Sequence, residues 1–385
     1  MWKIKKDKNK KGNEGFALAI VLLVTTLVVI LALEFNYEMR TNASIAANSM
    51  DDIKAYYAAK AGIAAGIFGL RADFKSDKDK NSFVDYKGEL WATQNIAIPV
   101  GEGVTSGIIT DEDGKVNLNI YLEDEGEDDE ENQSKNKNTK KQGEDRLEQQ
   151  QNVVKRILDS LPVNSNNSDE IMHVMKEWSG ITDEDPALTA YYSNLTVPYE
   201  SKGNYFDDMS ELLLLKGITK EFYFQTPESG NVLQVAQPSS ASAGGGTGDP
   251  DVVAAGKSLD KLFTVFTPYL DEEEAKININ TAPREVLRAL HEDMDDAAIE
   301  AIISRQTSSD PFKSMDDVKA ESAIQNVYDD KPDGPRGIRH LLGMRSYYFR
   351  IKATGQVRNA SKTIEAVVLR DPENGSIEIR SWSVY

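Results

Sequence analysis

The sequence predicts an α+β protein in which one long N-terminal helix packs on an antiparallel sheet, with a large helical segment inserted between the first strands and the last. Three observations carry that expectation. An apolar run from Phe16 to Leu33 continues, without proline and rich in helix formers, to about Ala72. Alternating apolar and polar residues recur near residues 91–120 and again over 347–385. Between those two regions the apolar spacing is mostly that of helices.

Composition limits what such a chain does. With 385 residues there is room for two or three domains and a sizeable core, at 40% hydrophobic content. A formal charge of -19 argues against a nucleic-acid partner, because phosphates would be repelled by most of the surface. The chain has no cysteine, which removes disulfides, thiolate catalysis and cysteine zinc sites and suits an exported bacterial protein that folds without oxidation. His173, His291 and His340 lie far apart with no ligand spacing, and no Gly-x-Ser-x-Gly or His-Glu-x-x-His motif is present, so the chain reads as a non-enzyme.

Each element follows from local chemistry. Phe16 to Leu33 carries only Thr25 and Thr26 as polar residues. As a helix it spans roughly 27 Å, close to a hydrocarbon core. Six lysines, Lys3, Lys5, Lys6, Lys8, Lys10 and Lys11, outweigh Asp7 and Glu14 ahead of it, which keeps the N-terminus in the cytoplasm and sends the remainder across. No small-residue cleavage site follows Leu33. Farther on, Ala46, Met50, Ile53, Tyr57, Ala61, Ala64 and Phe68 recur at helical intervals and are expected to pack on the sheet. On pattern alone this describes a single-pass anchor with a helical stalk.

Strands are expected at Trp91–Pro99, Val104–Ile109 and Val116–Ile120, the last two joined as a hairpin through Asp113-Gly114. The acidic run Glu123–Glu131, followed by Lys135, Lys137, Lys140 and Lys141, repels itself and reads as a solvated loop over 123–145. Helical spacing resumes over Leu147–Leu161, and Ser168 or Asp169 caps a helix to about Trp178. PSSASAGGGTGDP, residues 238–250, has linker composition within a loop expected over 237–251. Gly256-Lys257-Ser258 fails the phosphate-loop signature because the required glycine is Asp251.

In KININTAPREVLRAL, Lys276 to Leu290, Thr281 is the expected N-cap and Pro283 fits the first turn; a second helix is expected over Asp296–Arg305. Six acids against three arginines between Arg284 and Arg305 make this helix pair a poor match for DNA. Three alternating strands close the chain, at Tyr347–Val357, Lys362–Arg370 and Ser376–Tyr385, with Phe349, Ile351 and Ala353 on the face that covers the N-terminal helix.

Several stretches together resemble a family. A basic leader ending in Gly15, then Phe16 and an uncharged apolar helix, is similar to the signal of type IV prepilins and pseudopilins. Most members have glutamate as the fifth mature residue, where this chain has Ile20, a departure found in the minor pseudopilin K of type II secretion systems. ITDEDGKVNLN (Ile109–Asn119), the tryptophan, aspartate and tyrosine run EWSGITDEDPALTAYYSNLTVPYES, the Ser210–Ile218 segment and Asn278–Leu290 resemble that family too.

The resemblance implies a pilin-like fold, cleavage between Gly15 and Phe16 by prepilin peptidase, methylation of Phe16, and a place at the filament end. A subunit without a carboxylate at the Ile20 position cannot neutralise the amine of a neighbour above it. The resemblance divides the chain into a leader (1–15), a membrane and spine helix (16–72), first sheet strands (73–122), the acidic loop (123–145), an inserted helical domain (146–345) and closing strands (346–385).

Implied partners are the minor pseudopilins I and J, with H as a further candidate, prepilin peptidase and the inner-membrane secretion platform. The implied location is the inner membrane, with the soluble part in the periplasm. Calcium is a candidate ligand of Asp183 and Asp185, although helix capping ahead of Ala187 explains Asp185 equally. The competing readings are a type IV minor pilin and a membrane-anchored periplasmic enzyme or metal-binding receptor.

Overall fold

A computed structural model of the chain describes residues 13–92, 97–122, 137–161, 167–225, 258–266, 276–331 and 336–385; at 13–15 and 137–145 only the backbone is described. The leader lysines, the acidic run and the 238–250 stretch lie outside the described residues. The helices are α1 (Asn13–Lys80), α2 (Leu118–Tyr121), α3 (Lys137–Ser160), α4 (Ser168–Trp178), α5 (Pro186–Ser193), α6 (Lys220–Phe224), α7 (Leu259–Leu262), α8 (Arg284–Ala289), α9 (Asp296–Gln306), α10 (Met315–Ala320) and α11 (Gln325–Tyr328). The strands are β1 (Ile98–Val100), β2 (Gly103–Asp111), β3 (Val116–Asn117), β4 (Phe263–Thr264), β5 (Ile277–Asn278), β6 (Leu342–Gly343), β7 (Tyr348–Val357), β8 (Ala360–Arg370) and β9 (Ile377–Val384).

The first and last strands form one antiparallel sheet of order β1-β2-β7-β8-β9, and every helix after α1 is inserted between β2 and β7. The period of two along β7 and β8 decides what each face covers. Phe349, Ile351, Ala353, Ile364, Ala366 and Val368 join Ala59, Ile63 and Leu70 of α1 in one core. Tyr348, Val367 and Leu369 point the other way, into the larger core of the helical insert. The sheet is therefore a middle layer between α1 and the insert.

Small residues set the distance between α1 and the sheet. A Cβ at Gly62 would stand 2.5 Å from Thr105 Oγ1, one at Gly66 would stand 2.9 Å from Ile351 Cγ2, and one at Gly355 would fall on the Ala55 carbonyl and the Ala59 nitrogen. These contacts run antiparallel along helix and strand. The Gly355 end of β7 faces Ala55 while Arg370, beside the Tyr348 end, meets Asp73. The insert thus sits at the end of α1 farthest from Phe16.

Several expectations need correction. The stripe Met50, Ile53, Tyr57 and Phe68 faces away from the sheet and is more than half exposed, whereas Ala55, Ala58, Ala59 and Ile63 are buried. Periodicity locates an apolar stripe but not its partner, and a close helix-on-sheet approach selects the small-residue stripe instead. Val116–Ile120 is not one strand of a hairpin: β2 pairs with β7, the two-residue β3 pairs in parallel with β4, and Leu118 begins α2, with Asn117 accepting from Asn119 N as N-cap. Pro283 rather than Thr281 is the N-cap of α8, because the Thr281 hydroxyl donates to Asp111 Oδ2 instead. Residues 137–145, read as loop, open α3, and residues 123–136 lie outside the described residues. For α4 the cap is Asn167, one residue ahead of Ser168.

Candidate functional site

Two features are built on α1: an anchor with an uncovered apolar face, and an acid-lined joint where its far end meets the insert. The apolar stretch has a mean hydropathy of 3.1 over an 18-residue window and none of that window is buried, so the helix is long and apolar enough to cross a membrane. Gly15, Phe16 and Ile20 all lie within α1, with Phe16 and Ile20 exposed. Above the apolar stretch the same outward surface continues through Met50, Ile53, Tyr57 and Phe68, with Tyr57 set edge-on to Tyr56. An apolar helix face this long, left in water, is the mark of an interaction surface.

The joint gathers residues far apart in sequence. Arg370, with its side chain 3% exposed, donates to Asp73 Oδ2 at 3.0 Å, to Asp85 Oδ1 at 2.5 Å and to the Ser346 carbonyl at 2.9 Å. Asn278, fully buried on β5, donates to the Asp85 carbonyl at 3.0 Å and to Ser346 Oγ at 2.7 Å. Asp111 accepts from Ser346 and Thr281, and Asp113 accepts from the backbone of Tyr347 and Tyr348. Glu112 is held by Lys115, Arg350 and the Thr264 hydroxyl. The acidic turn and the Asn-Ile-Asn-Thr stretch are thus two halves of one hydrogen-bonded joint.

Charge at the joint is unevenly compensated. Burial works against ionisation of Glu112, but Lys115 and Arg350 outweigh it and hold the carboxyl down to about 2. Burial, with the neighbouring acids, pushes Asp73 up to about 6, Asp77 to about 7 and Glu89 to about 8. Asp111 is raised to about 6 by burial, partly offset by the Ser346 and Thr281 hydroxyls. Burial, then Asp111, raises Asp113 well above the usual range.

The paired asparagines are structural residues of the joint and the insert that local pattern conceals. Asn119 accepts from Phe206 N and donates to the Phe206 and Val265 carbonyls, and Asn280 exchanges two hydrogen bonds with the Phe312 backbone. Inside an apolar alternation an asparagine reads as solvent-facing, yet all of these are buried staples between loops. The repeated Asn-x-Asn spacing, at 117–119 and at 278–280, is the one signal of them in the sequence.

The expected calcium residues are not brought together as a ligand set. Asp185 caps α5 through Oδ1 to Ala187 N at 2.8 Å, and its Oδ2 meets His173 Nε2 at 3.1 Å, while Asp183 is exposed. One uncommitted carboxylate does not suit a cation that takes about six to eight oxygens. The histidines remain apart: His173 pairs with Asp185, His340 with Asp330, and His291 is buried, where burial lowers its pKa.

A long apolar helix that runs on to pack against an antiparallel sheet, with its outer face open, defines a membrane-anchored, pilin-like subunit. Two stretches, residues 114–226 and 277–335, match the family described as type II secretion system (T2SS), protein K. Type II secretion system protein K of Aeromonas hydrophila is 24% identical over 392 residues, covering 95% of this chain and 96% of the relative. The crystal structure of the GspK-GspI-GspJ complex from the enterotoxigenic Escherichia coli Type 2 Secretion System matches with a TM-score of 0.60 at 14% identity, over 90% of this chain and 99% of that chain. Over almost its whole length the chain is thus similar to protein K of type II secretion systems, a minor pseudopilin.

Proposed function

We propose that this minor pseudopilin caps the tip of the type II secretion pseudopilus and helps to initiate its assembly for export across the outer membrane. The observation that carries the reading is the uncovered stripe Met50, Ile53, Tyr57 and Phe68, together with an insert confined to the other side of the sheet. One side of the spine is open to neighbouring helices while the bulk stands at its far end. A subunit of that shape is broad at the top and narrow at the base. It fits above a fibre better than within it, and Ile20 supports the same placement.

In this reading Gly15–Phe16 is the processing site, Phe16 is methylated, and the chain is seated in the inner membrane with a cytoplasmic N-terminus and a periplasmic soluble part. Its partners are the minor pseudopilins named I and J, the companions of GspK in the solved Escherichia coli complex. Replacing both Tyr57 and Phe68 with glutamate tests the surface. Neither side chain supports the core, so far-ultraviolet circular dichroism and melting should stay as in the parent chain. Co-purification with I and J is expected to weaken by about tenfold or more, since aromatic anchors dominate such contacts. Undiminished co-purification would refute the assignment of this face.

A further inference from the structure

We propose that the polar cleft between the paired strands β3 and β4 and the paired strands β5 and β6 binds a small carboxylate, held by the Arg345 guanidinium, the Lys276 ammonium and the Tyr121 hydroxyl. The cleft has a volume of about 180 Å³ and opens to solvent beside Lys276, which is exposed. That is room for a small acid, but it falls short of the roughly 300–1,000 Å³ of sites for drug-sized ligands.

Tyr121 points to a ligand. It lines the cleft, is 1% exposed, and its hydroxyl has no hydrogen-bond partner among the described residues. Burial raises its pKa, so the group stands as a neutral donor. Arg146 of α3 lies near enough for its charge to act on the phenol, and the Arg146 Nε is also buried without a partner. Buried donors are nearly always paired in folded proteins. Two unpaired ones in one place call for an acceptor that the described residues do not provide.

The cations of the cleft set the charge of that acceptor. Arg345 is fixed in place: Nη2 donates to the Pro372 carbonyl at 2.7 Å, and the guanidinium centre lies 4.5 Å from the ring centre of Phe83 and 5.4 Å from that of Tyr347. Neither Arg345 nor Lys276 has an ion pair among the described residues. A guanidinium held in this way presents the planar fork that matches a carboxylate. Lys115, which also lines the cleft, is already engaged by Glu112 Oε1 at 2.5 Å and the Asp260 carbonyl at 2.9 Å. The acids of the wall do not cancel the attraction. Glu112 is answered by Lys115 and Arg350, and burial, then Asp111, drives Asp113 toward its neutral form. A free small acid and the acidic side chain of a peptide present the same group, and the test separates them.

The full chain in detergent is titrated, at fixed chloride and ionic strength, with sodium succinate and separately with an acetylated, amidated Glu-Glu dipeptide, while binding heat and melting temperature are followed. Saturable binding of at least one probe, with a raised melting temperature, is expected, and the tighter probe identifies the source. Tyr121→Phe keeps the buried ring, so it should melt no lower than the parent without ligand and weaken binding by about tenfold. Lys276→Gln, at an exposed position, should weaken it by about threefold. Lys60→Gln, at an exposed position on α1 outside the cleft, should bind as the parent does. Absence of saturable binding with both probes, parent-like binding by Tyr121→Phe, or an equal loss on Lys60→Gln would each overturn the proposal.

Discussion

Replacing Gly355 with alanine is expected to pry the spine helix from the sheet. The added methyl would fall on the Ala55 carbonyl and the Ala59 nitrogen, with Ala58 Cβ at 2.9 Å, so the helix backbone itself must move. Overpacking against a side chain costs about 1–3 kcal/mol, and a collision with backbone belongs at or above the top of that range. Because Gly62 and Gly66 fix the same spacing farther along, relief at one point opens the interface at the others. Thermal or denaturant unfolding of the purified chain should show a loss of about 3 kcal/mol, with a changed near-ultraviolet signal from Trp91, which packs edge-on against Phe349. Gly69→Ala is the control. Nothing lies within 4 Å of its new methyl, and alanine is the better helix former by roughly 1 kcal/mol. If Gly355→Ala were as stable as the parent, the small-residue account of helix docking would fail.

Arg370→Ala is expected to be about as damaging, by a different route. It leaves Asp73 and Asp85 without their shared cation and removes the guanidinium stacked 4.6 Å from the Phe349 ring centre. Breaking a buried ion pair by deleting one partner typically costs about 3–5 kcal/mol. The loss should depend on pH, with a sign set by the raised carboxyls. Asp73, Asp77 and Glu89 titrate near about 6, 7 and 8 when folded, against ordinary values of 3.8, 3.8 and 4.5. Between about pH 4 and 8 the folded state therefore holds more protons than the unfolded one at these groups, and their contribution to stability falls as pH rises. Removing Arg370 raises these carboxyls further and steepens that fall. Melting of Arg370→Ala should approach the parent near about pH 5 and diverge most near about pH 8; a constant gap across that range would contradict the uncompensated-acid account.

The parts that sequence made legible are those governed by short-range periodicity. β7 and β8 follow the alternation of Tyr347–Val357 and Lys362–Arg370 within one or two residues, and α9 ends one residue past Arg305. Asp185 is a helix cap because a short acceptor two residues ahead of an amide can act without distant help. Where a second partner decides, local pattern misleads. The outward stripe of α1 looks the more hydrophobic one, but the sheet takes the stripe whose small residues, Ala55, Ala59, Gly62 and Gly66, let Ile63 and Leu70 reach its core. Thr281 looks like a cap until Asp111, 170 residues away, takes its hydroxyl. The joint is less visible still, since Arg370 reaches Asp73 across 297 residues and Asp85 across 285. No local pattern can announce a cluster assembled from the helix end, the first strands and the last.

The same geometry links anchor, spine and cap. In the proposed reading the apolar stretch of α1 seats the subunit and its uncovered face receives neighbouring helices, while the joint fixes the helical insert at the far end. The central claim is position: one copy, at the end of the fibre. Pseudopili assembled with a chain tagged after Tyr385, at the end of the sheet's outer strand, should carry gold-labelled antibody at one end of each filament when viewed by electron microscopy. Labels spaced along the shaft, with other subunits stacked above them, would contradict the account.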